Sequence, residues 1–331
     1  MKWVLVTGAT GVVGRFLVTA LLKKGYCVRA LVRKKVGCDI LPSRVEQVTG
    51  DITDAASVCS AVAGVCFVFH LAARLHVNNP SPALKDEYHS VNVAGTLNVL
   101  EAASYAKADR IIFFSTISVY GAGKSNQVVD EGSATAPDTL YAGTKLKAEF
   151  LIDAFCRNRL DAPEVTVLRL ASVYGRRVKG NYKLMIHAVE KGGFVFPGNG
   201  DNRRTLVHEE DVASAAILAA EHPLAKGRTF NVTDGTTHTV QDIVTAIARA
   251  LGKQPLEIHI HDTLIRAIVC LLGSPLFRRL PRIEKLGYMI DKMNEHVAVN
   301  GGKIQQDLGF VPQWGLDRGM RLALTEALGR K

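Results

Sequence analysis

A tyrosine and a lysine four residues apart are the side chains in this sequence best suited to chemistry. Tyr141 and Lys145 form the pattern Y-x-x-x-K inside a stretch with helical periodicity. Four residues make about one helical turn, so both side chains lie on one face of the predicted helix. An ammonium beside a phenol favours the phenolate and lowers a pKa that is ordinarily ~10. The pair is therefore predicted to act as a general acid and base near neutral pH.

Hydroxyl side chains come shortly before this pair, in the segment FFSTISVYG. Ser115, Thr116 and Ser118 lie at the end of a predicted buried strand. In a parallel sheet the carboxyl ends of the strands face the ligand crevice. A hydroxyl at this place is predicted to hydrogen-bond a substrate oxygen.

A glycine triple near the start of the chain predicts a dinucleotide-binding loop. In TGATGVVG, Gly8, Gly11 and Gly14 lie between a short run of β-formers and a helical stretch. Gly8 permits the tight turn, Gly11 lets the backbone approach a pyrophosphate, and Gly14 allows close packing of helix on strand. The N–H groups of the first helical turn are then available to the anion.

The residues after the second predicted strand favour NADP over NAD. NAD-binding sites usually have an acid there for the ribose 2′-hydroxyl, whereas this chain has Arg33, Lys34 and Lys35. A guanidinium pairs well with a 2′-phosphate. The alternatives are that Arg33 only covers the adenine face or that an acid comes from elsewhere. Asp51 is predicted to reach the adenine amino group, and residues 70–73 (HLAA) are predicted to line the cofactor path with His70 structural.

Strands that alternate with helices must position these residues. The pattern predicts an α/β fold in which a doubly wound parallel sheet is covered by helices on both faces. After about residue 175 the alternation weakens and glycines and basic residues increase. We therefore predict a cofactor-binding domain over 1–175 and a smaller mixed α/β substrate-binding portion over 176–331, some of whose segments return to the sheet.

Composition narrows the possible partners. The chain has 331 residues, is 47% hydrophobic and 22% charged, and has a net charge of +10. Such usage is that of a globular protein, with no apolar run of ~20 residues and no secretory signal, which predicts a cytoplasmic location. Six cysteines without C-x-x-C spacing predict no metal site. The positive charge suits nucleic acid, a membrane surface or a phosphorylated small molecule, but no basic motif interleaved with aromatic residues predicts nucleic-acid binding.

These motifs together resemble the extended short-chain dehydrogenase/reductase superfamily, in its NAD-dependent epimerase/dehydratase branch. TGATGVVG, the hydroxyl before VYG and YAGTK occur in the family's order. The resemblance implies a Rossmann-type fold, NAD(P) as cofactor and a catalytic set of Thr116, Tyr141 and Lys145, with Lys145 also holding the nicotinamide ribose. The residues it places at the cofactor are Gly8, Thr10, Gly11, Val12, Val13, Gly14, Arg33, Asp51, Ile52, Leu71, Ala72, Ala73, Asn92, Tyr141, Lys145, Leu170 and Ala171.

The second half resembles nucleotide-sugar enzymes of that branch. RRTLVHEEDVA is similar to a segment R-x-x-V-H-x-x-D in which an arginine binds the diphosphate, and Arg204 is the match. The resemblance also implies a nucleotide-sugar substrate and a homodimer built through paired helices. Its substrate-binding residues are Ser118, Ser172, Asn181 and Arg204. The apolar, arginine-containing segment 264–282 is interpreted as part of the substrate portion, with membrane-surface contact as the less favoured alternative.

Departures from the family leave three functions open. Dehydratases of the branch carry Asp-Glu after the hydroxyl residue, where this chain has Ile117 and Ser118. Hexose epimerases have an acid after the second strand and a second diphosphate arginine, and neither has a clear match here. The favoured function is a UDP-hexose or UDP-N-acetylhexosamine 4-epimerase that transfers a hydride transiently. The alternatives are an NADPH-dependent reductase of a keto-sugar nucleotide or another carbonyl and, more remotely, a non-catalytic NADP-binding regulator.

Overall fold

Seven parallel strands form the central sheet of the protein. The computed structural model describes residues 2–75, 84–123, 127–176, 180–254, 258–261, 263 and 295–327. The strands lie in the order β11-β7-β5-β4-β1-β2-β3, and every neighbouring pair is parallel. They are β1 (Trp3–Thr7), β2 (Cys27–Val32), β3 (Glu46–Thr49), β4 (Phe67–His70), β5 (Arg110–Thr116), β7 (Glu164–Leu170) and β11 (Thr229–Val232).

The order of the strands creates a crevice beside β1. The chain starts in the middle of the sheet, runs outward through β2 and β3, and crosses back to β4 on the other side of β1. Connections leave β1 and β4 in opposite directions, and such a switch point opens a ligand crevice at the carboxyl ends of the strands. The predicted doubly wound, Rossmann-type sheet is confirmed.

Helices cover both faces of this sheet. In β1, Val4 and Val6 face one helical layer while Leu5 faces the other, because side chains alternate along a strand. The first layer contains α1 (Val12–Lys23) and α7 (Glu209–Glu221), and the second contains α2 (Ala55–Val62), α4 (Gly95–Tyr105) and α5 (Leu140–Asn158). All three residues are fully buried, so the sheet is apolar on both sides, as predicted.

A smaller layer lies beyond the carboxyl edge. Its three-stranded sheet has the order β12-β10-β8, and helices α6, α8 and α10 share an apolar core with Leu206 of β10. The elements are β8 (Ser172–Tyr174), α6 (Gly180–Glu190), β10 (Arg203–His208), β12 (Thr237–Thr239), α8 (Val240–Ala250) and α10 (Leu316–Ala327). Short parallel pairs join β6 (Val128–Val129) to β14 (Ala298–Val299), and β9 (Val195–Pro197) to β13 (Ile258–Ile260). A further helix, α9 (Gly302–Leu308), precedes α10.

The chain beyond residue 175 contributes to both layers. Strand β11 pairs with β7 at one edge of the large sheet, and α7 packs against α1 on its face. The substrate-portion interpretation of 264–282 lies outside the described residues. Among the described residues, no helix has both the length and the apolar character that crossing a bilayer requires.

Candidate active site

The glycine loop joins β1 to α1 at the crevice. Gly8 has φ +73°, and a Cβ there would lie 2.8 Å from the backbone nitrogen of Ala72. A Cβ on Gly14 would lie 2.3 Å from the Gly8 carbonyl oxygen. Both positions therefore require glycine, the first for the turn and the second for the close packing of α1 on the loop.

The first turn of α1 presents free N–H groups to an anion. Gly11 is the N-cap residue, and no side chain caps the helix. The first turn contains no acid, and Gly11 itself is exposed. N–H groups and the positive end of the helix dipole at this place fit the pyrophosphate of a dinucleotide. Thr10, Val12 and Val13 surround this turn.

Arg33 and Asp51 flank the carboxyl ends of β2 and β3. Arg33 is exposed and makes no hydrogen bond or ion pair with any described residue, so its guanidinium is free for a phosphate. The Asp51 carboxylate accepts hydrogen bonds from the backbone and hydroxyl of Thr53 at 2.9 Å each. Ile52 is 5% exposed and packs in the core beside Gly95. Its side chain is therefore suited to apolar contact with a cofactor and not to hydrogen bonding.

His70 is a structural histidine, as predicted. Its Nδ1 lies 2.8 Å from Thr7 Oγ1, and its Nε2 lies 3.1 Å from Thr96 Oγ1, which in turn donates to the Asn92 carbonyl. Thr7 Oγ1 also accepts from the Ala72 N–H. Burial and the nearby Lys145 lower the pKa of His70 to about 3, so the ring is neutral and links β1, β4 and α4.

Asn92 links α5 to the segment after β4. It lies in a π turn at Ser90–Ala94 that joins α3 (Leu84–His89) to α4. The Asn92 amide is 1% exposed, accepts from the Arg74 N–H at 2.7 Å, and donates to the Arg74 carbonyl and Thr144 Oγ1. Thr144 donates to the Tyr141 carbonyl. Because the amide is fully occupied by protein groups, its contribution to a cofactor site is to position other residues.

Tyr141 and Lys145 lie one turn apart on α5, beside the crevice. Thr139 caps the helix, and its Oγ1 accepts from the Ala142 N–H. Lys145 is 2% exposed, and its ammonium lies 3.9 Å from the centre of the Phe113 ring. Burial lowers the pKa of Lys145 to about 7, while Glu149 opposes this shift.

The predicted lowering of the Tyr141 pKa is wrong for this structure. Burial, with a smaller contribution from Tyr88, raises the pKa of Tyr141 to about 12. Lys145 does not counter this effect, because its own charge is weakened by burial and its ammonium faces the Phe113 ring. The phenol is therefore protonated at neutral pH and is ready to donate its proton.

Thr116 lies at the carboxyl end of β5, as predicted for a substrate-orienting hydroxyl. Its Oγ1 accepts from the Ser118 N–H at 3.1 Å and so caps the following 3-10 turn. Ser118 is exposed, whereas Ile117 is 3% exposed and belongs to the core. The first of the two positions that are acidic in dehydratases of the branch is therefore an apolar core position here.

A buried ion pair behind α5 is a feature that sequence reasoning missed. Glu149 accepts from Arg169 of β7, with Nη2 at 2.7 Å and Nε at 3.1 Å from Oε2, and also from the Ser115 hydroxyl. Arg169 Nη1 donates to Tyr120 Oη at 2.8 Å. The available signal was a glutamate four residues after Lys145 together with an arginine inside an apolar strand.

Two of the four predicted substrate-binding residues, Ser172 and Arg204, lie on the smaller sheet. Leu170 ends β7, and Ala171 leads into Ser172 of β8, whose hydroxyl hydrogen-bonds the Tyr182 phenol. Burial raises the pKa of Tyr182, while the nearby Arg204 guanidinium lowers it. Tyr182 was not predicted from the sequence. Asn181 lies in the first turn of α6, and its side chain is outside the described part of the structure.

Comparison with known proteins places this arrangement among cofactor-dependent enzymes. A model of the NAD dependent epimerase/dehydratase family matches residues 4–233. The UDP-glucose 4-epimerase of Vibrio cholerae is 28% identical over 324 residues, which are 97% of this chain and 94% of that protein. A 3 beta-hydroxysteroid dehydrogenase/Delta 5-->4-isomerase of Mycobacterium tuberculosis is 28% identical over 344 residues, 98% of this chain and 89% of that protein.

One solved structure matches this chain over nearly its whole length. MoeE5 in complex with UDP-glucuronic acid and NAD has a TM-score of 0.77 and 27% sequence identity, and the match covers 99% of each chain.

Proposed function

The chain belongs to the NAD dependent epimerase/dehydratase family, and from this premise we propose that it is an NAD(P)-dependent 4-epimerase of a UDP-hexose or UDP-N-acetylhexosamine. The relatives support this substrate class, since one similar protein is a UDP-glucose 4-epimerase and a similar solved structure contains UDP-glucuronic acid and NAD.

One observation carries the proposal: the Lys145 ammonium lies over the Phe113 ring, which packs against His70 with ring centres 5.7 Å apart. His70 in turn hydrogen-bonds Thr7 at the end of β1. The catalytic helix therefore approaches the sheet at the switch point where the glycine loop begins. The Asn92–Thr144 link joins the same helix to the segment after β4, whose Ala72 lies against Gly8. The proton-transfer pair and the predicted dinucleotide site thus share one crevice.

Each residue of the proposed site has a separate role in the reaction. The glycine loop, Arg33 and Lys145 would hold the cofactor, which when bound accepts a hydride from the sugar carbon and returns it to the opposite face. Epimerisation requires Tyr141 first to release its own proton, because only the phenolate can take the proton of the C4 hydroxyl and later give it back. The Thr116 hydroxyl orients the same oxygen. Lys145, when charged, stabilises the phenolate that forms at Tyr141.

The smaller sheet is suited to the diphosphate. Arg204 presents a guanidinium that can bind two phosphate oxygens, and the Ser172 and Tyr182 hydroxyls lie next to it. A diphosphate anchored here directs the sugar toward the carboxyl ends of β5 and β7.

The test is to identify the nucleotide that co-purifies with the protein and to assay nucleotide sugars. Mass spectrometry is expected to find bound NAD or NADP, and proton NMR is expected to show conversion of UDP-glucose or UDP-N-acetylglucosamine to the C4 epimer. No net NADPH should be consumed. Stoichiometric NADPH consumption with a ketone product would contradict epimerisation.

Reduction of a carbonyl is the second candidate. The pKa of Tyr141, raised to about 12 by burial, keeps the phenol protonated, which is the form that a reductase uses as its acid. A similar protein is a 3 beta-hydroxysteroid dehydrogenase/Delta 5-->4-isomerase. The NADPH measurement in the same assay distinguishes the two functions, and an inert protein that binds cofactor would indicate a regulator.

Arg33 is expected to set the preference for NADP. The Arg33→Ala variant removes the free guanidinium beside the predicted 2′-phosphate and should weaken NADP binding about tenfold, a typical loss for one charge-assisted contact. NAD affinity should change little. Fluorescence titration with NADPH and NADH measures both values. Equal losses for the two cofactors would show that Arg33 does not contact the 2′-phosphate.

We further propose a homodimer formed through α5. Phe150 on this helix is 62% exposed, although aromatic rings are usually well covered. The Phe150→Glu variant is expected to shift the protein from dimer to monomer in light scattering after size-exclusion chromatography. Leu160→Glu, at an exposed apolar residue that follows α5, is the matched control and should remain dimeric. A monomeric wild-type protein would contradict the proposal.

A further inference from the structure

A buried glutamate links the two elements that carry the proposed catalytic residues. Glu149 lies one turn after Lys145 on α5 and is 8% exposed. Its Oε1 accepts from the hydroxyl of Ser115, which directly precedes Thr116 at the end of β5 and is 3% exposed. One carboxylate therefore joins the helix of the proton-transfer pair to the strand end that carries the substrate-orienting hydroxyl.

Two contacts fix the position of α5 along β5. Phe113 and Ser115 share one face of the strand, because side chains two residues apart point the same way. The Lys145 ammonium lies over the Phe113 ring. Glu149, four residues later on the helix, accepts from Ser115. A hydrogen bond to a carboxylate is more directional than a contact with a ring face, so it limits sliding of the helix along the strand.

The other side of the Glu149 carboxylate is held by the sheet. Arg169 of β7 donates to Glu149 and also to the Tyr120 hydroxyl. That hydroxyl donates to Asn231 of β11 at 2.8 Å. All four side chains are less than 9% exposed. The hydrogen bonds therefore connect α5 to β5, β7 and β11 in a buried region, where a network in which each member is paired is rigid.

Glu149 also supplies a negative charge near Lys145. Burial lowers the pKa of Lys145 to about 7, and the Glu149 carboxylate opposes this shift. Without the carboxylate, burial acts unopposed, and the ammonium loses its proton at a lower pH. The other titratable and charged groups around this pair are His70 on β4, Tyr88 on α3, Tyr120 in the turn after β5, Tyr141 on α5 and Arg169 on β7.

We propose that Glu149 is a positioning residue for proton transfer, which holds Thr116 in place relative to the pair on α5 and keeps Lys145 charged. Ser115 is its partner on the strand. Both act through the residues that they hold and not through contact with the substrate. This inference rests on the proposed function, because it assigns Glu149 a part in the same proton transfer, but the charge of Lys145 can be measured without any substrate.

The first experiment follows the titration of Lys145 in the free protein. NMR of protein with carbon-13 at the lysine Cε atoms reports each ammonium, and the Lys145 signal is the one lost in Lys145→Met. Glu149→Gln should lower the pKa of Lys145 by about one pH unit, the low end of the effect of a neighbouring opposite charge. Glu149→Met/Arg169→Met, which leaves neither member of the pair unpaired, should show the same direction if Glu149→Gln does not fold.

An exposed acid on the same helix provides the matched control. Asp153 lies one turn beyond Glu149, and its side chain is 55% exposed. Asp153→Asn should leave the titration of Lys145 unchanged, because water screens its charge. If Lys145 titrates as in the parent in both Glu149 variants, the inference is overturned.

The second experiment separates the hydrogen bond from the charge. Ser115→Ala removes the link to β5 but leaves the Glu149 carboxylate in place. We expect kcat for UDP-glucose at about pH 7 to fall about tenfold with little change in KM, since a misplaced group costs rate without weakening substrate binding. Ser104→Ala is the control, because Ser104 is also 3% exposed and donates to a carboxylate, that of Asp161, at 2.9 Å.

The outcomes distinguish this inference from the proposed function. A parent kcat in Ser115→Ala, or an equal loss in Ser104→Ala, would show that the link to β5 does not position the reacting groups. If the parent converts no nucleotide sugar, the proposed function fails, and the Lys145 titration alone decides on Glu149. The expected shift then supports its action on Lys145, and an unchanged titration overturns it.

Discussion

Replacing Tyr141 by phenylalanine is expected to lower kcat by about 10²–10⁴-fold, the usual contribution of a positioned general acid or base. The change removes only the phenolic oxygen. The ring is half-buried on α5, whose N-cap at Thr139 and whose link to Asn92 through Thr144 do not use the hydroxyl. The fold and the cofactor site should therefore be preserved. Initial rates of epimerisation, together with NADPH affinity from fluorescence, measure both parts of the prediction.

Lys145→Met is the companion variant. It removes the charge that would stabilise the phenolate and hold the ribose, so both turnover and cofactor affinity should fall. Tyr88→Phe, which removes a neighbouring phenol, is the control and should retain most of the rate. Undiminished turnover in Tyr141→Phe would remove Tyr141 from the mechanism, whichever direction the reaction takes.

Breaking the Arg169–Glu149 pair is expected to cost about 3–5 kcal/mol of unfolding free energy. Arg169→Met leaves the Glu149 carboxylate buried without its charged partner, since the two side chains are only 10% and 8% exposed. The Tyr120 hydroxyl also loses the donor at 2.8 Å. Urea unfolding followed by circular dichroism measures the loss.

An exposed pair of similar geometry is the matched control. Arg157 and Asp153 on the same helix lie 2.9 Å apart with side chains 76% and 55% exposed. Arg157→Met should cost less than about 1 kcal/mol. The double variant Glu149→Met/Arg169→Met should recover much of the stability, because neither member of the pair is left as an unpaired buried charge. If Arg169→Met is no less stable than Arg157→Met, the buried pair does not hold α5 in place.

Local patterns were sufficient to predict most of the scaffold. Apolar runs at 3–7, 28–32, 45–48, 66–71, 110–115 and 165–170 predicted six strands of the large sheet to within about two residues, because strands buried on both faces leave a continuous apolar signal. The seventh strand, β11, was not predicted. The glycine loop was also predicted, because Gly8 and Gly14 lie against backbone atoms where no side chain fits. The π turn around Asn92 was not predicted, because a helical pattern does not show one inserted residue.

The pKa of Tyr141 depends on packing that the spacing of residues in the sequence does not show. Spacing of four correctly put Tyr141 and Lys145 on one helix, but the expected lowering of the phenol's pKa required Lys145 to be charged and directed at the ring. In the fold the ammonium lies over Phe113, and burial dominates both groups. Desolvation depends on everything that packs around a side chain, and spacing along one helix does not contain that information.

Periodicity and residue type over a few positions predicted the alternation of strands and helices up to about residue 175, the glycine turn and the groups able to transfer a proton. Which distant residues meet depends on how the whole chain folds. Arg169 of β7 donates to Glu149 of α5. Arg204 of β10 lies opposite His238 of β12, because the two strands pair in that register. Burial and cross-strand pairing bring together residues far apart in the chain, so the charges and contacts of the site arise only when the chain has folded.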